Sequence, residues 1–227
     1  MAQTWHDLLF AHWPVASDSV RPLLPAGLEL DTFEDHAWIG VVPFRMSGVR
    51  MRFTPSVPWL AAFPELNLRT YVKLDGRAGV WFFCLEAARL PAVQVARSWF
   101  HLPYFHARME CTAVGNDIEY SSERIHRRAR PASFRARYGP EAPVVRARSG
   151  TLEHWLTERY CLYAADDRGR LMRGEIHHVP WPLQEAHARI ETCTLPAAHD
   201  LELPSSPPHL RFARRLDVRI WAPSRCD

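Results

Sequence analysis

The segment Ala61-Ala-Phe-Pro-Glu-Leu-Asn-Leu-Arg-Thr-Tyr-Val-Lys73 predicts the strand around which the rest of the fold is arranged. Successive side chains of a strand point to opposite faces, so its residues divide into two sets. One face carries Glu65, Asn67, Arg69, Tyr71 and Lys73, and the other carries Leu66, Leu68, Thr70 and Val72. The segment therefore predicts a strand with one polar face and one largely apolar face.

The residues that follow predict the second strand of a hairpin. Asp75-Gly76 is a typical turn, and the run from Gly79 to Leu85 is apolar on both faces. An apolar run between turn residues is typical of a strand that is buried on both sides. The two segments therefore predict a hairpin with a buried return strand, on which Trp81 is a candidate ligand-binding residue.

The remaining patterns favour a mainly β fold. The chain has 19 prolines against 10 glycines, which indicates many short elements with stiff connections. Pro91 to Phe100 predicts a helix, against which we expect Leu66 and Leu68 to pack. Residues 47–60 predict a surface loop, and residues 183–192 fit either a helix or a strand. Residues 1–227 show no internal repeat or domain boundary, so we predict one domain, a closed or nearly closed antiparallel β-barrel with helices packed on the outside.

Charge and cysteine content limit the classes of function. The net charge is +3, too small for a general argument for nucleic-acid binding, and the arginines of residues 124–148 are scattered among small residues and prolines without a predicted helix. We read those arginines as the solvated edge of a sheet. The five cysteines show no paired spacing, and no apolar run reaches the roughly 20 residues that span a bilayer. These features predict a cytoplasmic protein that binds neither nucleic acid nor membrane, and they leave homo-oligomer formation open.

The polar face of the first strand is the leading candidate for a binding site. Glu65 and Arg69 lie about 13 Å apart along a strand, at roughly 3.3 Å per residue, too far to pair directly. They could line one pocket wall with Asn67 between them, or form the polar outer face of an antiparallel strand. A second polar face follows the helix, where Tyr104 and His106 are candidates for proton transfer or hydrogen bonding.

Other kinds of site find no support in the sequence. The spacing of His101 and His106, and of the adjacent His177 and His178, fits no metal motif. There is no G-x-S-x-G sequence, the motif of a nucleophilic serine. There is no glycine-rich phosphate loop either, and we expect no cofactor. Lys73 is the single lysine among 28 basic residues, so any mechanism that needs a lysine must use it.

Several motifs resemble the YqjF-like family of uncharacterised bacterial proteins, also described as domain of unknown function 2071. They are Leu8-Leu-Phe-Ala-His-Trp-Pro-Val15, Val42-Pro-Phe-Arg-Met46, Phe63-Pro-Glu-Leu-Asn-Leu-Arg-Thr-Tyr71, Gly79-Val-Trp-Phe-Phe83, Leu102-Pro-Tyr104, Leu156-Thr-Glu-Arg-Tyr160 and Ile176-His-His-Val-Pro-Trp-Pro182. The resemblance covers nearly the whole chain. It implies a fold similar to that of acetoacetate decarboxylase.

The resemblance to the decarboxylase also implies where its active site would fall. Glu65 matches one active-site glutamate, and the lysine that forms the Schiff base falls at Tyr104. The second glutamate falls in the apolar run from Trp38 to Val42, and the substrate-binding arginine falls near His6. A decarboxylase of this type requires that lysine as its nucleophile, so the resemblance does not extend to Schiff-base decarboxylation.

Two functions and one structural role follow from these patterns. One function is an enzyme, a lyase or hydrolase that forms no Schiff base, acting on a small carboxylate- or carbonyl-containing molecule. In it, Glu65 would be the general acid or base, Arg69 would bind a carboxylate, and Tyr104 or His106 would donate a hydrogen bond. The other function is non-catalytic ligand binding. The structural role is that of a barrel filled by its own side chains.

Overall fold

The computed structural model describes residues 1–50 and 62–226, and its elements are mostly strands. The strands are β1 (Ala2–Val15), β2 (Glu29–Leu30), β3 (Ala37–Arg50), β4 (Phe63–Leu74), β5 (Arg77–Ala87), β6 (Tyr104–Val114), β7 (Asp117–Arg124), β8 (Ser133–Pro140), β9 (Cys161–Ala165), β10 (Leu171–His177), β11 (Gln184–Cys193), β12 (His209–Ile220) and β13 (Ser224–Arg225). The helices are α1 (Ser17–Val20), α2 (Leu90–Phe100) and α3 (Leu152–Thr157), with 3-10 turns at Arg21–Leu23 and Ala197–His199. Within the described residues, no helix has both the length and the apolar character needed to cross a bilayer.

The strands form one 13-stranded sheet that curls back on itself. Pairing of β4 with β5 connects the two arms of the sheet, so that nine strands form a nearly closed ring in the order β5-β6-β7-β8-β11-β12-β1-β3-β4. The expected nearly closed sheet is thus confirmed. Two pairings, β5 with β6 and β5 with β9, are parallel rather than antiparallel. Helix α2 makes the crossover between β5 and β6 that a parallel pair requires.

The predicted hairpin is present in the expected place. Strands β4 and β5 pair antiparallel from Glu65 opposite Ala87 to Leu74 opposite Arg77. Asp75 and Gly76 have φ values of 50° and 73°, as a two-residue turn with two left-handed residues requires. The register of the β4–β5 pairing shifts between Leu68, opposite Cys84, and Arg69, opposite Phe82. Phe83 is therefore one extra residue on β5 at this point.

Two hydrophobic cores lie on opposite faces of strands β1, β3 and β4, as the period of two requires. The first core contains Leu66 and Leu68 together with side chains of β6, β7 and β8, among them Tyr120 and Tyr138. The second core contains Phe10, Val42, Phe44, Phe63, Leu85 and Trp181. Glu65 lies on the second-core face, since it shares a face with Phe63 and stands opposite Phe44 of β3. The polar face of β4 is therefore directed into the protein and not into solvent.

Three expectations from the sequence require correction. Helix α2 packs its Val93 and Phe100 into the second core, so Leu66 and Leu68 face β7 and β8 and not this helix. Residues 47–50 continue strand β3 and are not part of a loop, while the rest of the predicted loop, to residue 60, lies outside the described residues. Of residues 183–192, which fitted either element, residues 184–192 lie in strand β11 (Gln184–Cys193).

Leu66→Ala is expected to lower the free energy of unfolding by about 2–5 kcal/mol, because Leu66 is completely buried and the truncation leaves a cavity between β4 and the first core. Urea denaturation at pH 7 measures the change. Exposed Val144→Ala is the matched control and should change stability by about 0.5 kcal/mol or less. Equal losses in the two variants would contradict the packing described for Leu66.

Candidate functional site

Strand β4 places Glu65 in the protein interior, where the carboxyl group is 4 % exposed. The hydroxyl group of Tyr104, at the start of β6, donates a hydrogen bond of 2.7 Å to Oε2 of Glu65. The two residues meet because Ala87 on β5 pairs with Glu65 on one side, while Leu85 pairs with Tyr104 on the other. Two of the candidates predicted from sequence are thus in direct contact.

Burial changes the protonation of both members of this pair. Desolvation raises the pKa of Glu65 from 4.5 to about 8, and the hydrogen bond from Tyr104 opposes that rise only in part. Desolvation, followed by the neighbouring Glu65, raises the pKa of Tyr104 well above its ordinary value. At neutral pH Glu65 is therefore mostly protonated and Tyr104 keeps its phenolic proton. A buried carboxylic acid in this state can donate or accept a proton near neutral pH.

The backbone that carries Glu65 is anchored from the first core. Tyr120 is 2 % exposed, and its hydroxyl group lies 2.7 Å from the carbonyl oxygen of Glu65 and 3.1 Å from that of Phe44. Either carbonyl group can accept the single phenolic proton of Tyr120. Sequence patterns indicated a strand here but gave no sign of this contact, since the partners are 55 residues apart in the chain. Tyr120 is thus a positioning residue for Glu65.

Asn67 and Arg69 follow Glu65 on the same face but do not contact it. Asn67 is buried, and its Oδ1 atom has no hydrogen-bond partner among the described residues. The guanidinium group of Arg69 lies over the Phe10 ring and donates to the hydroxyl group of Tyr71, which is further from Glu65 along the strand. Arg69 and Glu65 therefore belong to different parts of one interior face.

Lys73, the single lysine, is held away from Glu65. Its ammonium group forms an ion pair of 2.6 Å with Asp31, which is 1 % exposed and is paired on its other side with Arg159. Eight residues of strand separate Lys73 from Glu65, about 26 Å at roughly 3.3 Å per residue. Lys73 therefore cannot replace the lysine that a Schiff-base mechanism would require beside Glu65.

His106 lies two residues beyond Tyr104 but lines a different space. It contributes to a cavity of about 390 Å³ together with Phe63, Pro64, Arg89, Arg108 and Met109. Three of these side chains are basic in type, and none of the described lining residues is acidic. The described lining includes neither Glu65 nor Tyr104, so this cavity does not bring His106 together with that pair.

His6 and Trp81 also lie apart from that pair. His6 is partly buried, and its Nε2 atom is 2.7 Å from the hydroxyl group of Ser47 on β3. Trp81 packs with Leu28, Val72 and Tyr163 in a small separate cluster. Neither side chain has a described contact with Glu65, Tyr104 or Arg69.

The described residues hold no group of three or more histidine, cysteine, aspartate or glutamate side chains placed to bind a metal ion. Sequence reasoning also missed the polar contact in the interior between His12 on β1 and Tyr71 on β4. The available signal was Gly40, a glycine within a strand, because such a glycine often marks the close approach of other groups. A Cβ atom on Gly40 would lie 2.7 Å from His12 and 3.3 Å from Arg69.

Solved structures define the class of fold. The chain matches acetoacetate decarboxylase from Legionella pneumophila with a TM-score of 0.68 and 10 % identity, over 100 % of this chain and 87 % of that one. It matches the enduracididine biosynthesis enzyme MppR, in its complex with pyruvate, with a TM-score of 0.68 and 11 % identity, over 99 % of this chain and 89 % of that one. The protein therefore has the acetoacetate-decarboxylase-like fold.

Sequence comparisons define the family. The model of domain of unknown function 2071, described as an uncharacterized conserved protein, matches residues 2–217. The uncharacterized protein YqjF of Bacillus subtilis (strain 168) is 46 % identical over 221 residues, which cover 97 % of this chain and 90 % of that protein. The chain belongs to the YqjF-like family, domain of unknown function 2071.

Proposed function

We propose that this protein binds a small carbonyl- or carboxylate-containing molecule beside Glu65 and Tyr104 and transfers a proton to or from it. The observation that carries the proposal is the buried Glu65 carboxyl group, which has a pKa of about 8 and a hydrogen bond from Tyr104. Perturbed carboxyl groups of this kind are concentrated at catalytic sites. The reaction class is that of a lyase or hydrolase that forms no Schiff base.

Each residue of the pair has a separate role in this proposal. Glu65, protonated at neutral pH, is the general acid, and after it has given up its proton it is the general base. Tyr104 keeps its own proton and, when the ligand binds, turns it from Oε2 of Glu65 to a carbonyl oxygen that gains negative charge. A tyrosine cannot form an imine with a carbonyl compound, so the chemistry at this position differs from that of a lysine.

The fold comparison supports the choice of ligand class. MppR has been solved in complex with pyruvate, a small keto acid. That ligand belongs to MppR, and we extend only its chemical class to the present protein. A keto acid offers carbonyl and carboxylate oxygens that can accept hydrogen bonds from a protonated Glu65 and from Tyr104.

Non-catalytic ligand binding is a second candidate, favoured by the aromatic packing of the second core. The ring of Trp181 lies 4.8 Å from that of Phe10 and 5.8 Å from that of Trp5, and Trp5 lies 5.5 Å from Phe44. These rings share the face that carries Glu65 and fill part of the space next to it. A protein that only binds a ligand could use the same residues without turnover.

A thermal-shift screen of small keto acids and hydroxy acids tests the proposal. We expect at least one acid to raise the melting temperature of the wild type but not of Glu65→Gln or Tyr104→Phe, and NMR should then detect its conversion. Glu110→Gln, an exposed change on β6, is the matched control and should retain the shift. Binding without conversion would favour the non-catalytic candidate. Binding that is equal in all variants, or absent from all, would overturn the proposed site.

Sodium borohydride reduction in the presence of acetoacetate or pyruvate should leave the protein without a covalent adduct at any side chain. A borohydride-trapped imine requires an amine, and Lys73 is the single lysine, ion-paired with Asp31. Intact-mass spectrometry followed by peptide mapping measures the result, with an unrelated Schiff-base aldolase as the positive control. An adduct mapped to Lys73 would contradict the imine-free mechanism.

A further inference from the structure

Buried polar side chains surround the ring of Tyr71, at the end of the inner face of β4 that is remote from Glu65. The guanidinium carbons of Arg69 and Arg159 lie 5.6 Å and 5.0 Å from the centre of the Tyr71 ring, and the imidazole centre of His12 lies 5.9 Å from it. Trp38 belongs to the same hydrophobic cluster as Tyr71. We name this group of five residues the Tyr71 cluster.

A chain of hydrogen bonds in the cluster assigns the proton on His12. Nη2 of Arg69 donates to the Tyr71 hydroxyl oxygen over 3.2 Å, and that oxygen lies 2.7 Å from Nε2 of His12. An arginine can only donate, and Nε2 of His12 is the one acceptor recorded for the Tyr71 hydroxyl group among the described residues, so the phenolic proton is directed to that nitrogen. Burial, followed by the charges of Arg69 and His209, lowers the pKa of His12 well below its ordinary value, so the ring is neutral. A neutral imidazole that accepts at Nε2 carries its proton on Nδ1.

Four buried nitrogen atoms of the cluster then have no acceptor among the described residues: Nδ1 of His12, Nε1 of Trp38, Nε of Arg69 and one terminal nitrogen, Nη2, of Arg159. All four are hydrogen-bond donors. A buried donor without an acceptor costs about 1–3 kcal/mol, so chains seldom collect several of them in one place. His12 is completely buried and therefore cannot turn its Nδ1 proton into bulk solvent.

The cluster also has more positive than negative charge. Asp31 is the acidic partner of both Lys73 and Arg159, at 2.6 Å each. Arg69 forms no ion pair with an acidic side chain in the part of the chain that the structure describes, although its Nε atom is buried. Asp31 thus balances Lys73 and Arg159, while the half-buried Arg69 is left without an acidic partner among the described residues, and a charge partly removed from water favours a counter-ion.

We propose that the Tyr71 cluster is a binding site for the carboxylate group of a small organic acid, which Arg69 and Nδ1 of His12 hold together. A carboxylate offers two acceptor oxygens in one plane, which matches the planar donors of a guanidinium group. The inference goes beyond the proposed function and does not rest on it, because neither Glu65 nor Tyr104 belongs to the cluster.

Histidine NMR of the full chain tests the site with acetate as the probe. In protein labelled with nitrogen-15 at histidine, acetate should shift the His12 Nδ1 signal to saturation, whereas acetamide, its uncharged analogue, and sodium chloride should not. The signal is assigned by its absence from His12→Gln. Arg69→Gln should weaken acetate binding about tenfold or more, the effect of losing one charged hydrogen bond. Arg189→Gln, an exposed change on β11, is the matched control and should bind as the wild type does.

Three outcomes would overturn the inference. One is a His12 signal that acetate leaves unchanged, the result expected if ordered water alone satisfies the donors. Another is undiminished acetate binding by Arg69→Gln, and the third is a response to inorganic phosphate but not to acetate. If Arg69→Gln does not fold, Arg69→Lys keeps the positive charge but removes Nε and the planar pair of donors, and undiminished acetate affinity in that variant would also count against the site.

Discussion

Glu65→Gln is expected to make the protein more stable than the wild type at pH 8, by an amount on the order of 3–5 kcal/mol. Burial raises the pKa of Glu65 from 4.5 to about 8 in the folded state. Between these two values the folded chain holds a proton that the unfolded chain has released. The free energy of unfolding of the wild type therefore falls with rising pH, by up to about 1.4 kcal/mol per pH unit. Glutamine has the same shape and no proton to lose, so the variant lacks this contribution.

Urea denaturation between pH 5 and pH 8 measures the effect. At pH 5 the two proteins should differ by less than about 1 kcal/mol, because pH 5 is only about half a unit above the unfolded-state pKa of Glu65, which is 4.5, and about a quarter of the unfolded chains still hold the proton. Above pH 8 the difference should level off, since Glu65 is then ionised in both states. Glu86, whose pKa burial raises to about 7, titrates in the same window but is common to both proteins. Glu110→Gln should follow the wild type throughout, and a Glu65→Gln profile parallel to the wild type would show that Glu65 is not buried as described.

Arg124→Met is expected to lower the free energy of unfolding by about 3–5 kcal/mol at pH 7. Arg124 and Glu86 form an ion pair of 2.6 Å in which both side chains are nearly inaccessible, at 2 % and 1 % exposure. The guanidinium group also lies 4.0 Å from the centre of the Phe105 ring. Methionine keeps much of the packing against that ring but leaves Glu86 without its charged partner. Without Arg124, Glu86 either remains an isolated buried carboxylate or takes up a proton at pH 7, and both outcomes cost free energy in the folded state.

A neighbouring pair of the same residue types supplies the control. Arg108 and Glu123 are 70 % and 64 % exposed and pair over 3.0 Å, so Arg108→Met should cost about 1 kcal/mol or less. Adding Glu86→Leu to Arg124→Met should recover much of the loss, because the unpaired charge is then gone. Similar losses from Arg108→Met and Arg124→Met would show that burial does not distinguish the two pairs.

The alternation of side chains was the part of the fold that could be predicted. It assigned Leu66 and Leu68 to one face of β4 and Glu65 to the other, and the two cores confirm this division. The turn residues Asp75 and Gly76 located the hairpin. The resemblance to a family indicated the acetoacetate-decarboxylase-like fold. Local geometry is sufficient for these predictions, because the period of a strand and the turn residues depend on neighbours in the chain.

The candidate site was predictable only in part. Glu65 and Tyr104 were both identified, but their contact depends on the parallel pairing of β5 with β6, and neither strand pattern specifies that pairing. His12 was not identified at all, since its partner Tyr71 is 59 residues away. The spacing of residues along β4 also gave no indication that Arg69 donates a hydrogen bond to Tyr71 and makes none to Glu65 among the described residues.

By itself the sequence determined which residues share a face and where the chain turns. It also determined that Lys73 is the single side-chain amine available to form an imine. Only the tertiary structure decided what covers each face. The sequence pattern placed Arg124 among the arginines of a solvated sheet edge. That prediction was wrong for Arg124, which is buried in an ion pair with Glu86. Glu65 reads equally well as a residue of an outer strand face, yet it is enclosed and holds its proton. The reason is physical: periodicity arises within one strand, whereas burial and the pKa shifts that follow from it arise from strands that are distant in sequence.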